Sequence, residues 1–268
     1  MHNVKKLSIG ILLIYVMIGA SIFYIQEKLI FLPSKLPMDH AYQMTVPFEE
    51  LFLESEDGAV INAILQKADN PKGLILYFHG NAGDLSRWST ITAFFVEKDY
   101  DVLVMDYRTY GKSTGKLSEK ALYADAQMIY DHALKSYAEK DITLYGRSLG
   151  TGLATYLASK NQPNQILLET PYYDLYQVAK NRFPFFPVRY LMAYEFPSHE
   201  YVLKASCPIT IFHGTNDYIV PFDSGKKLFD VIPSAKKTFI GIEGGRHNNL
   251  IEFDQYHQAV ENALKVDD

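Results

Sequence analysis

The pattern of hydrophobic and polar positions splits the chain into two unlike parts. Residues 7–25 form an uncharged run of 19 residues, apolar almost throughout. At about 1.5 Å per residue, a helix of that length just crosses a hydrocarbon core of about 30 Å. Beyond it, apolar residues gather in short runs at 73–78, 101–106, 142–145, 165–168, 208–214 and 237–242. Longer segments of helical character separate them, near 85–98, 118–137, 148–160 and from 249 onward. Repeated strand–helix units predict a mostly parallel sheet covered by helices on both faces. Two earlier runs, 48–55 and 59–66, flank Glu56-Asp57-Gly58 and predict an antiparallel hairpin at the sheet edge. Pro33, Pro37 and Pro47 block regular structure ahead of that hairpin. The expected organisation is an anchor over 1–28, a connector over 29–47 and one domain over 48–268, in which 170–205 interrupts the rhythm.

One motif in that domain carries chemistry. Gly146-Arg147-Ser148-Leu149-Gly150 follows an apolar strand and opens a helix. This is the context of a nucleophile elbow, where a tight turn pushes a serine hydroxyl out above the sheet. Glycines are needed on both sides because a side chain there would strike the neighbouring strand or helix.

A serine hydroxyl is a weak nucleophile at neutral pH and needs a base, which in turn needs an orienting acid. In this architecture the acid and then the histidine follow the serine. Asp217 lies in the loop Gly214-Thr215-Asn216-Asp217, just past one predicted strand. His247 lies in Gly244-Gly245-Arg246-His247, just past the next. The carboxyl ends of strands are where an open parallel sheet collects its functional groups. An oxyanion hole takes one N–H from the residue after the nucleophile, here Leu149. The other comes from the loop His79-Gly80-Asn81-Ala82-Gly83, at Asn81 or Ala82, with Asn81 preferred.

Other polar residues have plainer readings. His79 is expected to brace its loop and His213 to make a structural hydrogen bond. His132 and His257 are expected to be solvated on helices, and His199 in the interrupting segment is the rival base. Asp223 reads as an N-cap, Glu169 as buried and hydrogen-bonded near that segment, and Asp106 as the ion-pair partner of Arg108. Gly111-Lys112-Ser113 resembles the end of a phosphate-binding loop, but the required first glycine falls at Asp106. Residues 170–205 carry Phe183, Phe185, Phe186 and Tyr190 and sit where a lid is commonly inserted. These aromatics are candidates for an acyl pocket; the alternative is that they fill the core beneath an ordinary crossover.

Together these motifs resemble those of α/β-hydrolase-fold serine hydrolases. The resemblance rests on His79-Gly80-Asn81-Ala82-Gly83, Asp106-Tyr107-Arg108-Thr109-Tyr110-Gly111-Lys112-Ser113, Gly146-Arg147-Ser148-Leu149-Gly150, His213-Gly214-Thr215-Asn216-Asp217 and Gly245-Arg246-His247-Asn248. It runs from about residue 48 to the end of the chain. Within the fold the set is similar to a membrane-anchored subgroup that includes protein depalmitoylases and lysophospholipid or monoacylglycerol lipases. The resemblance implies hydrolysis of carboxylic esters or thioesters, with lipid-like acyl substrates, a Ser-His-Asp triad and no metal or organic cofactor. The family usually has glycine where this chain has Thr109, and often where it has Arg246.

Composition narrows the field further. A net charge of −5 argues against nucleic acid as a partner, and 20 Tyr with 16 Phe suit an aromatic-lined apolar site. A single cysteine, Cys207, excludes an internal disulfide. Lys5 and Lys6 precede the apolar run and Gln26-Glu27-Lys28 follows it. The positive-inside tendency then puts the N-terminus in the cytoplasm and the domain on the other side. Secretion after signal cleavage is the alternative. For function, the alternatives are a peptidase of prolyl-oligopeptidase type and a catalytically silent, membrane-tethered binding module.

Overall fold

A computed structural model describes residues 2–233 and 237–265. Its centre is an eight-stranded sheet. Six strands run parallel: β4 (Leu74–Phe78), β6 (Asp101–Met105), β7 (Ile142–Arg147), β8 (Gln165–Glu169), β9 (Ile209–Gly214) and β10 (Lys237–Ile242). The hairpin β2 (Phe48–Glu54) and β3 (Val60–Gln66) is antiparallel and closes one edge, in the order β10-β9-β8-β7-β4-β6-β3-β2. The short apolar runs become these strands because both sheet faces are covered; β4, β6, β7 and β9 are buried along their whole length.

Two cores flank the sheet. On one face α3 (Glu119–Ala133) contributes Leu122, Ala126 and Ile129, and α4 (Gly150–Ala158) contributes Leu153 and Leu157. The other face is covered by α2 (Leu85–Val96), through Trp88 and Phe95, and by α8 (Asp254–Ala263), through Tyr256 and Val260. Helix starts are set by side-chain caps. Asp84 accepts from the Ser86 amide at 2.8 Å and Ser118 from the Ala121 amide at 3.1 Å, each satisfying an otherwise orphaned donor.

The N-terminal helix α1 spans His2–Ile30 and is long and apolar enough to cross a membrane. It runs beyond the expected anchor, and the chain after it is not a free connector. Strand β1 (Leu32–Pro33) pairs in parallel with β5 (Ala82–Gly83), in the loop that follows β4. The segment 170–205 folds as α5 (Leu175–Arg182), a 3-10 turn at Val188–Tyr190 and α6 (Ser198–Val202).

Several plain expectations need correction. Arg108 pairs with Asp57 at 2.5 Å and with Asp125 at 2.7 Å, not with Asp106. Asp106 instead accepts from the Leu85 amide and faces His79. Asp223 sits inside the first turn of α7 (Phe222–Val231), whose N-cap is Pro221; its charge there favours the helix dipole. His257 is held by the Ile251 carbonyl at 2.6 Å rather than solvated, and His132 is half-buried. Glu169 is buried and bonded, as expected, but its partners Tyr145 and Tyr256 lie on the α8 face, away from 170–205.

Candidate active site

Ser148 stands between β7 and α4 with φ +51°, in the left-handed region that costs a non-glycine residue energy. The sharp turn needs its glycines. A Cβ on Gly150 would run into the Phe78 carbonyl, and one on Gly146 would come within 2.7 Å of the Thr151 Cα. The Ser148 amide donates to the Glu169 carbonyl at 2.9 Å, which holds the strained residue from below. The Glu169 carboxylate faces Arg147 Nε at 3.2 Å, both groups buried, so this acid braces the strand leading into the turn.

The loops after β9 and β10 bring Asp217 and His247 to the serine. His247 Nε2 is 2.8 Å from Ser148 Oγ, and its Nδ1 is 2.7 Å from Asp217 Oδ2. Asp217 Oδ1 accepts from the Ile219 and Val220 amides at 2.8 and 2.9 Å. Burial alone would raise the Asp217 carboxyl. Hydrogen bonds from His213 and His247 and from the backbone outweigh it and hold the carboxyl below the usual carboxylate range. An ionised Asp217 accepts the Nδ1 proton, which leaves Nε2 free to accept from the Ser148 hydroxyl. The rival His199 lies in α6, stacked on Tyr173 at 4.2 Å.

Asn81 and Leu149 border the same space as Ser148. Leu149 is the N-cap of α4, so its amide points out of the helix start. The Asn81 loop is pinned through its carbonyl, which accepts from the Leu32 amide at 2.8 Å and from Tyr110 Oη at 2.7 Å. The Ala82 carbonyl accepts from Trp88 Nε1 at 2.9 Å. His79 is buried between Trp88 and Tyr107 and braces the same loop. Thr109, where the family usually has glycine, keeps the left-handed backbone that glycine favours, at φ +75°.

A cavity of about 610 Å³ opens beside Ser148. That lies within the roughly 300–1,000 Å³ of small-molecule sites. The segment 170–205 supplies Leu175, Val178, Phe183, Val188 and Met192 to its wall. Of the four aromatics expected there, only Phe183 borders it. Phe185 and Tyr190 are exposed, and Phe186 stacks on Tyr15 of α1. The sequence reading missed the opposite wall: Ile22, Gln26, Leu29 and Ile30 of α1 line the cavity. These positions share one helix face, but only Ile22 lies in the uncharged run and the three beyond it are too few to show a period. A smaller cavity of about 220 Å³, beside Gln66 and Ser89, does not include Ser148.

Comparison with known proteins agrees with this architecture. A family model described as serine aminopeptidase, S33 matches residues 69–193. An uncharacterised protein of Acanthamoeba polyphaga mimivirus is 30% identical, over 88% of this chain and 90% of its own. The lysophosphatidylserine lipase ABHD12 of Danio rerio is 34% identical over 61% of this chain, which spans only 48% of that protein. An uncharacterised membrane protein of Saccharomyces cerevisiae is 29% identical over 98% of this chain and 97% of its own. Among solved structures, the Pyrococcus furiosus esterase Pf2001 superposes with a TM-score of 0.68 at 16% identity, covering 86% of this chain and 96% of the esterase, a likeness of fold. With sheet order, serine turn and relatives in agreement, the chain belongs to the α/β-hydrolase family.

Proposed function

We propose that this protein is a membrane-anchored serine hydrolase that cleaves carboxylic ester or thioester bonds of lipid-like acyl substrates. The observation that carries this reading is the hydrogen-bonded line Ser148–His247–Asp217, whose serine borders a mostly apolar cavity. Ser148 Oγ attacks the acyl carbonyl while His247 Nε2 takes its proton. Asp217 holds the imidazole tautomer and stabilises the imidazolium. The Leu149 and Asn81 amides hold the developing oxyanion, and each such donor is worth about 3–4 kcal/mol in the transition state. His247 then protonates the leaving alcohol or thiol, and water hydrolyses the acyl-enzyme by the reverse sequence.

Residues 48–268 form the catalytic domain in this reading, and 170–205 its lid. Helix α1 is retained as a single-pass anchor with the domain on the extracytoplasmic side, because Lys5 and Lys6 directly precede the apolar run while Glu27 and Lys28 offset each other just after it. A lipase relative and the apolar lining support an acyl substrate. The family description names aminopeptidases, and a peptide α-ammonium needs a carboxylate partner. Among the described residues the cavity lining includes neither Asp nor Glu, which favours the acyl reading.

The test is labelling of the full-length protein by a fluorophosphonate probe, with Ser148→Ala alongside, followed by hydrolysis of nitrophenyl esters of graded chain length. Labelling lost in the variant, with octanoyl preferred over acetyl, is expected. Absence of labelling in folded wild-type protein defeats the proposal, and a sharp acetyl preference defeats its lipid-like part.

A further inference from the structure

We propose that α1 is more than a tether: it forms one wall of the acyl site, and acyl esters reach Ser148 sideways from the bilayer, between α1 and the lid. This rests on the serine-hydrolase and membrane-anchor readings above and specifies where the substrate comes from.

Ile22, Gln26, Leu29 and Ile30 follow the spacing i, i+4, i+7, i+8, one face of the helix, and all four line the cavity that Ser148 also lines. Two sets of contacts clamp the lid to this helix. At the water end, Gln26 is buried; its Nε2 donates to the Leu191 carbonyl at 3.2 Å and its Oε1 accepts from the Ala193 amide at 2.7 Å. Next to it, Tyr194 Oη donates to Glu27 Oε1 at 2.8 Å. Further toward the N-terminus, Tyr15 stacks on Phe186 with centroids 4.8 Å apart, and Tyr15 Oη donates to the Phe185 carbonyl at 2.9 Å. A lid that met the anchor only by chance would not satisfy a buried glutamine on both its polar ends.

Depth follows from helix geometry. Tyr15 and Gln26 are eleven residues apart, about 16 Å along the axis, or about half of a 30 Å core. With Gln26, Glu27 and Lys28 at the water end of the helix, the lid tip at Phe185 and Phe186 sits at the depth of one leaflet. Its exposure agrees: Phe185 is 85% and Tyr190 86% exposed, beside a helix whose Leu12 and Met17 are also exposed. Such large aromatics are poorly matched to water but well matched to lipid and its interface. Lys180 and Arg189, both exposed, flank the tip, and the Lys180 ammonium donates to the Pro184 carbonyl at 2.7 Å. An acyl tail in that leaflet thus lies level with the lid tip, and its path to the serine passes between Phe183 and the Ile22 face of α1.

Two independent measurements test this on the full-length protein in phosphatidylcholine vesicles. First, Ile22→Trp and Leu29→Trp fill the cavity from the anchor side, and Leu12→Trp, on the outward face, is the control. Both cavity variants should lower kcat/KM for dodecanoyl and longer esters by about tenfold or more. Butyryl ester hydrolysis should fall less than dodecanoyl hydrolysis in both, and the Leu12→Trp control should match wild type for all esters and for fluorophosphonate labelling. Equal effects on short and long esters, or none, overturn the proposal while leaving the hydrolase reading standing. A wild type that neither labels nor cleaves the butyryl ester overturns the hydrolase reading, and the acyl site with it. Second, Phe185→Trp is read by fluorescence in vesicles of lipid brominated on its acyl chains. Trp88, the one native tryptophan, is buried in the core on the α2 face of the sheet. Quenching of the variant but not of wild type supports insertion of the lid tip; an unquenched variant overturns the lateral route without involving catalysis.

Discussion

The amide of Leu32, two residues beyond α1, donates to the carbonyl of Asn81 at 2.8 Å. The backbone leaving α1 therefore fixes the loop whose amide we assign to the oxyanion. Tyr110 completes the arrangement: its Oη donates to the same carbonyl at 2.7 Å and accepts from Leu32 at 3.1 Å.

Tyr110→Phe removes that hydroxyl while keeping the buried ring. The Asn81 amide should then be held less firmly at the position the oxyanion occupies, a loss felt mainly in the transition state. We expect kcat for a butyryl ester to fall about tenfold with KM within about twofold. A rise in KM at unchanged kcat would mean that Tyr110 serves binding instead.

Asp217 fixes which nitrogen of His247 carries the proton. Asp217→Asn keeps the shape but offers an amide in place of a carboxylate, so the imidazole can settle in the wrong tautomer. The expected loss in kcat is on the order of 10⁴-fold. Steady-state kinetics measure it, and a loss below about tenfold would indicate that another group orients the ring. His213 Nε2 lies 3.4 Å from Asp217 Oδ2 and so supports the acid rather than the imidazole.

What the sequence reveals about this site follows from how local each constraint is. The glycines around Ser148, and Asp217 and His247 just past successive strands, are readable because each depends on its own turn and the strand before it. The partners of Arg108 are not readable. Asp57 and Asp125 are 51 and 17 residues away, and only the folded hairpin and α3 bring them together. The aromatics of 170–205 are legible as apolar, but their direction is not: Phe183 faces the cavity and Phe186 turns to Tyr15. The inner face of α1 is hidden for another reason: Ile22 lies in a run apolar on all sides, and Gln26, Leu29 and Ile30 span too short a stretch beyond it to show a period.

The Arg147–Glu169 pair tests how the serine turn is supported. Both groups are buried, and Glu169 also accepts from Tyr145 Oη at 2.7 Å and Tyr256 Oη at 3.2 Å. Breaking such a pair leaves an uncompensated buried charge, so Arg147→Met should cost about 3–5 kcal/mol of stability. The double change Arg147→Met with Glu169→Leu removes both charges and should recover part of that loss. Thermal unfolding in detergent compares the three, and a double variant less stable than the sum of the single changes would show that the tyrosine bonds dominate.

Acid stability gives a final check on Asp217, and the sign can be worked out in advance. Its carboxyl is held below the ordinary range in the fold by donors from His213, His247 and Val220 acting against burial. An unfolded aspartate titrates near ~3.9. Above that value both states are ionised and the hydrogen bonds contribute their full stabilisation. Below it the unfolded chain binds a proton that the folded chain resists, so stability falls with pH until the folded group protonates too. Asp217→Asn lacks this titration. The gap in Tm between wild type and variant should therefore be constant from about pH 7 to about pH 5 and narrow below about pH 4. Thermal melts across that range measure it. A gap that already narrows between about pH 7 and pH 6 would point to an imidazole rather than to Asp217.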